Sequence, residues 1–161
     1  TMTISVGDRI PGATLRYQDD AGIQQVGAEE LFLGKTVVLF GLPGAFTPTC
    51  SAKHLPGYVQ NAGAISAKGV DSIICVAVND AFVMAAWGAD QNVGGKVMMV
   101  ADGNAEFARA LGLDFDASGP GLGTRCQRFS MLVENGVVKT LNIEEPGAFE
   151  ISSAEAMLAQ L

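Results

Sequence analysis

The sequence predicts an α/β domain, with a central mixed β-sheet flanked by helices and an N-terminal β-hairpin. Three apolar runs, "KTVVLFGL" (35–42), "DSIICVAV" (71–78) and "KVMMVAD" (96–102), read as strands, the first two buried on both faces. Segments with apolar residues at helical spacing lie between them. A closing hairpin, "RFSMLVENGVVKTLNI", turns at Asn135-Gly136, the strongest short-range turn signal in the chain.

Each element has its own signal. "ATLRY" (13–17) and "IQQV" (23–26), separated by "QDDAG", form the first hairpin. "GAEELFL" makes one or two helical turns. The 35–42 strand lies between Gly34 and Pro43. "LPGYVQNAGAISAKG" is a helix that stops at Gly69. "DAFVMAAWGADQ" is a helix capped by Asp80. "NAEFARALGL" is a helix ending near Gly112, and "SAEAMLAQL" a last short helix capped by Ser152 or Ser153. The glycine-rich "GPGLGTR" (119–125) reads as a flexible loop. No strand signal leads into it and no Lys-Ser pair follows, so it is not a phosphate loop.

Bulk properties narrow the function classes. A chain of 161 residues, 48% hydrophobic and 17% charged, suits one globular domain spanning 1–161. A net charge of -7 gives nucleic acid and anionic membranes the wrong sign for non-specific attraction. No apolar run reaches the ~18 residues of a membrane span. The three cysteines, Cys50, Cys75 and Cys126, are widely spaced, with no C-x-x-C pair. With a single histidine, His54, they make a metal site improbable. Few cysteines and no apolar leader in "TMTISVGDRIPG" lead to the expectation of a reducing, cytoplasmic location.

The chemistry concentrates in "FGLPGAFTPTCSAKHLPG" (40–57). Cys50 follows the carboxyl end of a central strand, at the start of a helix, where open α/β sheets place their sites. An ordinary thiol is only a few per cent ionised at neutral pH. Bringing a thiol pKa from about 8.5 to near 6, which makes it mostly thiolate at neutral pH, needs about 3.4 kcal/mol, at ~1.36 kcal/mol per unit. A helix N-terminus offers ~0.3–1 kcal/mol, and ~2 in a favourable buried site. A reactive Cys50 therefore requires a cation from elsewhere in the chain. Pro43 and Pro48 stiffen the approach, and Thr47 and Thr49 either cap the helix or face the pocket. The bland alternative is a buried, inert cysteine, since free cysteine is among the most buried residue types. A Cys–His hydrolase built on His54 lacks an orienting Asn or Asp and an oxyanion hole at any recognisable spacing.

"PGAFTPTC" resembles the peroxidatic motif of the peroxiredoxins, and "GLPGAFTPTCSAKHLPGYV" resembles their type II, or fifth-type, branch. "VNDAFVMAAWG" and "RFSMLVENGVVKTLNIEEPG" are similar to that branch as well, so the likeness spans nearly the whole chain. The resemblance implies a thioredoxin-like fold and a thiol peroxidase without cofactor or metal. It implies that Cys50 is the peroxidatic cysteine, with Pro43, Thr47 and Arg128 as its catalytic partners. Arg128, in "QRFSM", is then the required cation, and Arg125 a second contributor. Gly44, Phe46 and His54 become pocket or supporting residues.

The segment "EEPGAFEISSAEAML", where animal members carry a resolving cysteine, has none. The default is a one-cysteine cycle, with a hydroperoxide as substrate and glutathione, glutaredoxin or thioredoxin as reductant. Cys75 and Cys126 are the remaining resolving candidates, read first as packing residue and bystander. Phe82 and Trp87 read as core or subunit interface, and the branch implies a homodimer. The competing class is a redox sensor on the same scaffold.

Overall fold

The computed structural model describes residues 2–161. Seven strands form one mixed sheet: β1 (Thr14–Asp19), β2 (Gly22–Gly27), β3 (Thr36–Gly41), β4 (Ser72–Ala77), β5 (Met98–Ala101), β8 (Phe129–Glu134) and β9 (Val137–Ile143). Their order is β2-β1-β5-β4-β3-β8-β9. β3, β4 and β5 run parallel, because helices connect them, while the two hairpins add antiparallel strands at either edge. The three apolar runs are the three parallel strands, with β3 and β4 buried almost throughout and β5 buried in its second half.

Helices α2 (Leu55–Ala67), α3 (Ala81–Asp90) and α5 (Ala154–Gln160) cover one face. Helices α1 (Ala28–Phe32) and α4 (Glu106–Leu111) cover the other. Alternation along β3 feeds both cores: Val38 and Phe40 face the first, Val37 and Leu39 the second. Asp80 caps α3 by accepting from the Val83 amide at 2.8 Å. Ser153, one of the two serines anticipated, caps α5. Asn135 and Gly136 both take positive φ at the closing turn, as a tight hairpin requires.

One expectation fails. The segment read as a flexible glycine-rich loop is part of a second, two-stranded sheet, β6 (Asp114–Ala117) with β7 (Gly123–Cys126). Gly121 and Gly123 have positive φ and let the chain reverse. "DFDA" is too short and too charged to announce a strand on its own. The pairing of Phe115 with Arg125 and Asp114 with Cys126 fixes the segment that leads to Arg128.

At the end of β3, Gly41 lies opposite Phe129 in the ladder. A Cβ added at Gly41 would stand 2.2 Å from the Phe129 ring. Both residues are held by the sheet, so neither can yield. Gly41→Ala should cost about 1–3 kcal/mol by overpacking, lowering the melting temperature by roughly 3–10 °C. An unchanged thermal midpoint would refute that packing.

Candidate active site

The chain leaves β3 through a loop held at successive points. Arg125, on β7, donates from Nη1 to the Pro43 carbonyl at 3.2 Å and from Nε to the Leu122 carbonyl at 2.9 Å. Asn79 Oδ1 accepts from the Ala45 amide at 2.9 Å. Phe46 takes φ 64° and sets its ring 6.4 Å from Trp87, a conformation rare for a bulky side chain. A Cβ at Gly44 would lie 2.5 Å from Arg125 Nη1, so a side chain there would push the guanidinium off the Pro43 carbonyl.

The Thr47 hydroxyl donates to the Gly44 carbonyl at 2.7 Å, so it does not cap the helix, and its lone pairs remain available. Thr49 makes no capping bond either. The backbone turns helical at Pro48, where proline loses no needed donor. The first-turn amides of Thr49 and Cys50 have no intrahelical acceptor to satisfy them.

Cys50–His54 form a π-turn, with the Leu55 amide reaching back to the Cys50 carbonyl. Such single wide turns are common at functional sites. Ser51 accepts from Trp87 Nε1 at 3.0 Å, which ties this turn to α3. The turn presents Cys50 and His54 to one guanidinium. Arg128 Nη2 donates to Cys50 Sγ at 3.2 Å, and Arg128 Nη1 lies 2.8 Å from His54 Nδ1. Arg128 comes from the residues just before β8, beside β3 in the sheet. The guanidinium is thus the cation that stands against the fully buried sulfur.

His54 is fully buried, with its Nε2 3.0 Å from the Ser152 carbonyl. A carbonyl only accepts, so Nε2 carries the proton and Nδ1 accepts from Arg128. Burial, and then the Arg128 charge, lower the His54 pKa from 6.5 to about 3. The ring is therefore neutral and cannot serve as an acid at neutral pH. Phe149 packs against both groups, its ring 5.0 Å from the His54 ring at a tilt of 57° and 5.7 Å from the Arg128 guanidinium carbon.

A stability prediction follows from the buried neutral ring. Unfolded, His54 binds a proton below about pH 6.5; folded, it does so only below about pH 3. Its contribution is complete above pH 6.5 and is lost as pH falls through that window. The urea midpoint should decline between pH 6.5 and 5, above the carboxylate range, and His54→Phe should flatten the decline. An equal slope in both proteins would refute it.

The sequence-predicted residues divide clearly. Cys50, Arg128 and His54 meet, with Pro43, Gly44, Phe46 and Thr47 in the adjoining loop. Arg125, expected as a second cation for the sulfur, instead clamps the Pro43 carbonyl. Cys75 is fully buried in β4, in the same core as Cys50. Cys126 is buried in the other core, beyond the sheet. Burial pushes both thiols up, well away from ionisation at neutral pH. Trp87 is core, whereas Phe82 is 65% exposed. Among the described residues no cluster of His, Cys, Asp or Glu could hold a metal. A cavity of about 250 Å³ opens beside the site, lined by Pro43, Phe115, Arg128, Glu144 and Pro146 among others.

Sequence reasoning missed Tyr58, Asn79, Glu144 and Phe149, and read Ser152 only as a helix cap. All act through contacts distant in sequence, and none stands in a recognisable spacing to Cys50.

A buried cysteine under an arginine, at the carboxyl end of a central strand in a thioredoxin-like fold, defines a protein of thiol chemistry. The Redoxin family model matches residues 5–158. Peroxiredoxin-2E-2 of Oryza sativa is 54% identical, covering 99% of this chain and 73% of its own. Peroxiredoxin-2E of Arabidopsis thaliana is 50% identical, covering 100% of this chain and 70% of its own. The structure of reduced Prx3 from Vibrio vulnificus in complex with H2O2 superposes with a TM-score of 0.95 at 52% identity, covering 98% of this chain and 99% of that one. The chain belongs to the peroxiredoxins, in their type II, fifth-type branch. It is a thiol peroxidase, an oxidoreductase acting on peroxide.

Proposed function

We propose that Cys50 is the peroxidatic nucleophile and that the chain reduces hydrogen peroxide and alkyl hydroperoxides. The observation that carries this reading is the single Arg128 guanidinium bonded to Cys50 Sγ. The Cys50 thiolate attacks one peroxide oxygen. The S–O bond forms as the O–O bond breaks, and the leaving oxygen departs, once protonated, as water or an alcohol. Cys50 is left as a sulfenic acid. Arg128 and the first-turn amides supply donors for the oxygen that gains charge, while the Thr47 hydroxyl, its proton given to the Gly44 carbonyl, offers a lone pair to a peroxide O–H. Pro43 closes the pocket wall.

A thiol then condenses with the sulfenic acid, releasing water and leaving a mixed disulfide that a second thiol reduces. The two other cysteines are buried and un-ionised, which supports a one-cysteine cycle with glutathione and glutaredoxin, or thioredoxin, as reductant. Three free thiols fit a reducing compartment such as the cytoplasm. Exposed Phe46 and Phe82 supply apolar surface for a homodimer.

Turnover tests the proposal against a sensor that is merely oxidised. The protein is mixed with H2O2, NADPH and either glutathione, glutaredoxin and glutathione reductase, or thioredoxin and its reductase. NADPH should be consumed in at least one system. No consumption in either, from folded protein with an intact Cys50 thiol, would sink the reading.

A further inference from the structure

The segment after β9 leaves the sheet and passes over the site before α5 begins. Its first residue, Glu144, is the ladder neighbour of Arg128, with the Glu144 amide donating to the Arg128 carbonyl at 3.0 Å. Glu144 is 6% exposed. One of its oxygens, Oε2, accepts from the amides of Glu150, Ile151 and Ser152 at 2.8, 2.9 and 2.8 Å, and from the Ser152 hydroxyl at 2.7 Å. Burial alone would raise this carboxyl, but those bonds outweigh it and hold it below the usual range.

This arrangement fixes the Ser152 carbonyl, which accepts from both His54 Nε2 and the Tyr58 hydroxyl, at 3.0 and 2.9 Å. From Glu144 to Cys50 the bonds run without a gap: Glu144 to Ser152, Ser152 to His54, His54 to Arg128, Arg128 to the sulfur. The ring is held in the one tautomer whose Nδ1 can accept from Arg128. That contact occupies Nη1 and leaves Nη2 aimed at Cys50. Without it, the guanidinium is free to rotate away, since the Phe149 face constrains its plane and not its fork.

We propose that Glu144 is a positioning residue for the peroxidase reaction, acting on Cys50 through Ser152, His54 and Arg128. The carboxylate makes no hydrogen bond to the sulfur, and its Oε2 is taken up by residues 150–152. It folds residues 150–152 around itself, and the carbonyl so placed sets the histidine that aims the arginine. The proposal rests on Cys50 being the attacked thiol.

Double-variant kinetics test it, read as the second-order rate of reduced full-length protein with H2O2 in a single turnover. Glu144→Gln keeps the size and loses the charge that gathers four donors. It should slow the reaction about tenfold, the worth of one charge-assisted bond. His54→Phe should also slow it about tenfold, while keeping the aromatic packing. The combined variant should be no slower than the worse single one, because both break the same chain. A structural role for Glu144 alone would lower the melting temperature and make the losses multiply, to roughly a hundredfold.

A Glu144→Gln rate within twofold of wild type, or multiplying losses, overturns the proposal. If Glu144→Gln does not fold, Ser152→Ala removes one of the four donors and keeps the backbone. It should slow the reaction about threefold in wild type and not at all beside His54→Phe; an unchanged rate in wild type, or the same threefold loss beside His54→Phe, overturns the proposal. Cys50→Ser separates this from the parent reading. Turnover that survives Cys50→Ser defeats the role of Cys50, whereas a Cys50-dependent rate indifferent to Glu144 defeats only the positioning role.

Discussion

Cys50→Ser should abolish peroxide turnover, while Cys75→Ala and Cys126→Ala each retain most of it. A serine hydroxyl stays protonated at neutral pH even under a guanidinium, and its oxygen is a poor nucleophile toward an O–O bond. The fold should survive, because the substitution is small and Arg128 Nη2 can donate to oxygen as it does to sulfur. The other two thiols sit on different strands, buried and un-ionised, and Cys126 is separated from Cys50 by the sheet. Replacing either removes one buried sulfur, at a cost of about 1–2 kcal/mol in stability. Coupled turnover and thermal melting read the two effects separately. If Cys126→Ala abolished turnover in a folded protein, the one-cysteine cycle would be wrong. Intact mass after one equivalent of peroxide gives an independent check. An internal disulfide removes two hydrogens, while a sulfenic acid or a glutathione adduct adds mass.

Arg128→Met should slow the reaction with H2O2 about 100- to 1,000-fold, the usual loss for one donor aimed at developing charge. The variant removes three things together: the donor to Cys50, the bond to His54 and the positive charge over Phe149. Methionine fills the volume of the stem, so stability should fall far less than rate. Alkylation of Cys50 by iodoacetamide at pH 7 should slow as well, because it too needs the thiolate. Arg128→Lys discriminates charge from geometry. An ammonium can approach the sulfur or His54, but its single nitrogen cannot hold the forked arrangement. It should recover part of the loss, leaving the rate about 10- to 100-fold down. An Arg128→Met rate within threefold of wild type would show that the cation does not activate the sulfur.

The parallel strands were legible because burial on both faces leaves a continuous apolar run, which β3 and β4 show plainly. The helix caps at Asp80 and Ser153 were legible because capping is local chemistry. The β6–β7 pair was not. Its strands are short, charged and stabilised by each other, so no window of sequence contains the signal. The π-turn at Cys50–His54 was equally silent, since one wider turn leaves the apolar period of the following helix almost untouched.

The site divides along the same line. Arithmetic on an ordinary thiol showed that Cys50 needs a cation, and likeness to a known motif pointed to Arg128. Neither could assign Arg125, which lies three residues earlier with the same charge and holds a loop carbonyl instead. Strand geometry made that distinction: β7 ends before Arg128, and β8 carries the chain alongside β3.

By itself, then, the sequence determined the place of the cysteine proposed as nucleophile, its stiff proline-bounded approach and the strand that delivers it, because each is written within a few consecutive residues. Only the tertiary structure decided which arginine reaches the sulfur, which histidine nitrogen carries the proton and why a carboxylate at the end of β9 bears on both. Those depend on groups 74 to 98 residues apart in the chain, and only the packed sheet and the segment after β9 bring such groups within hydrogen-bond distance.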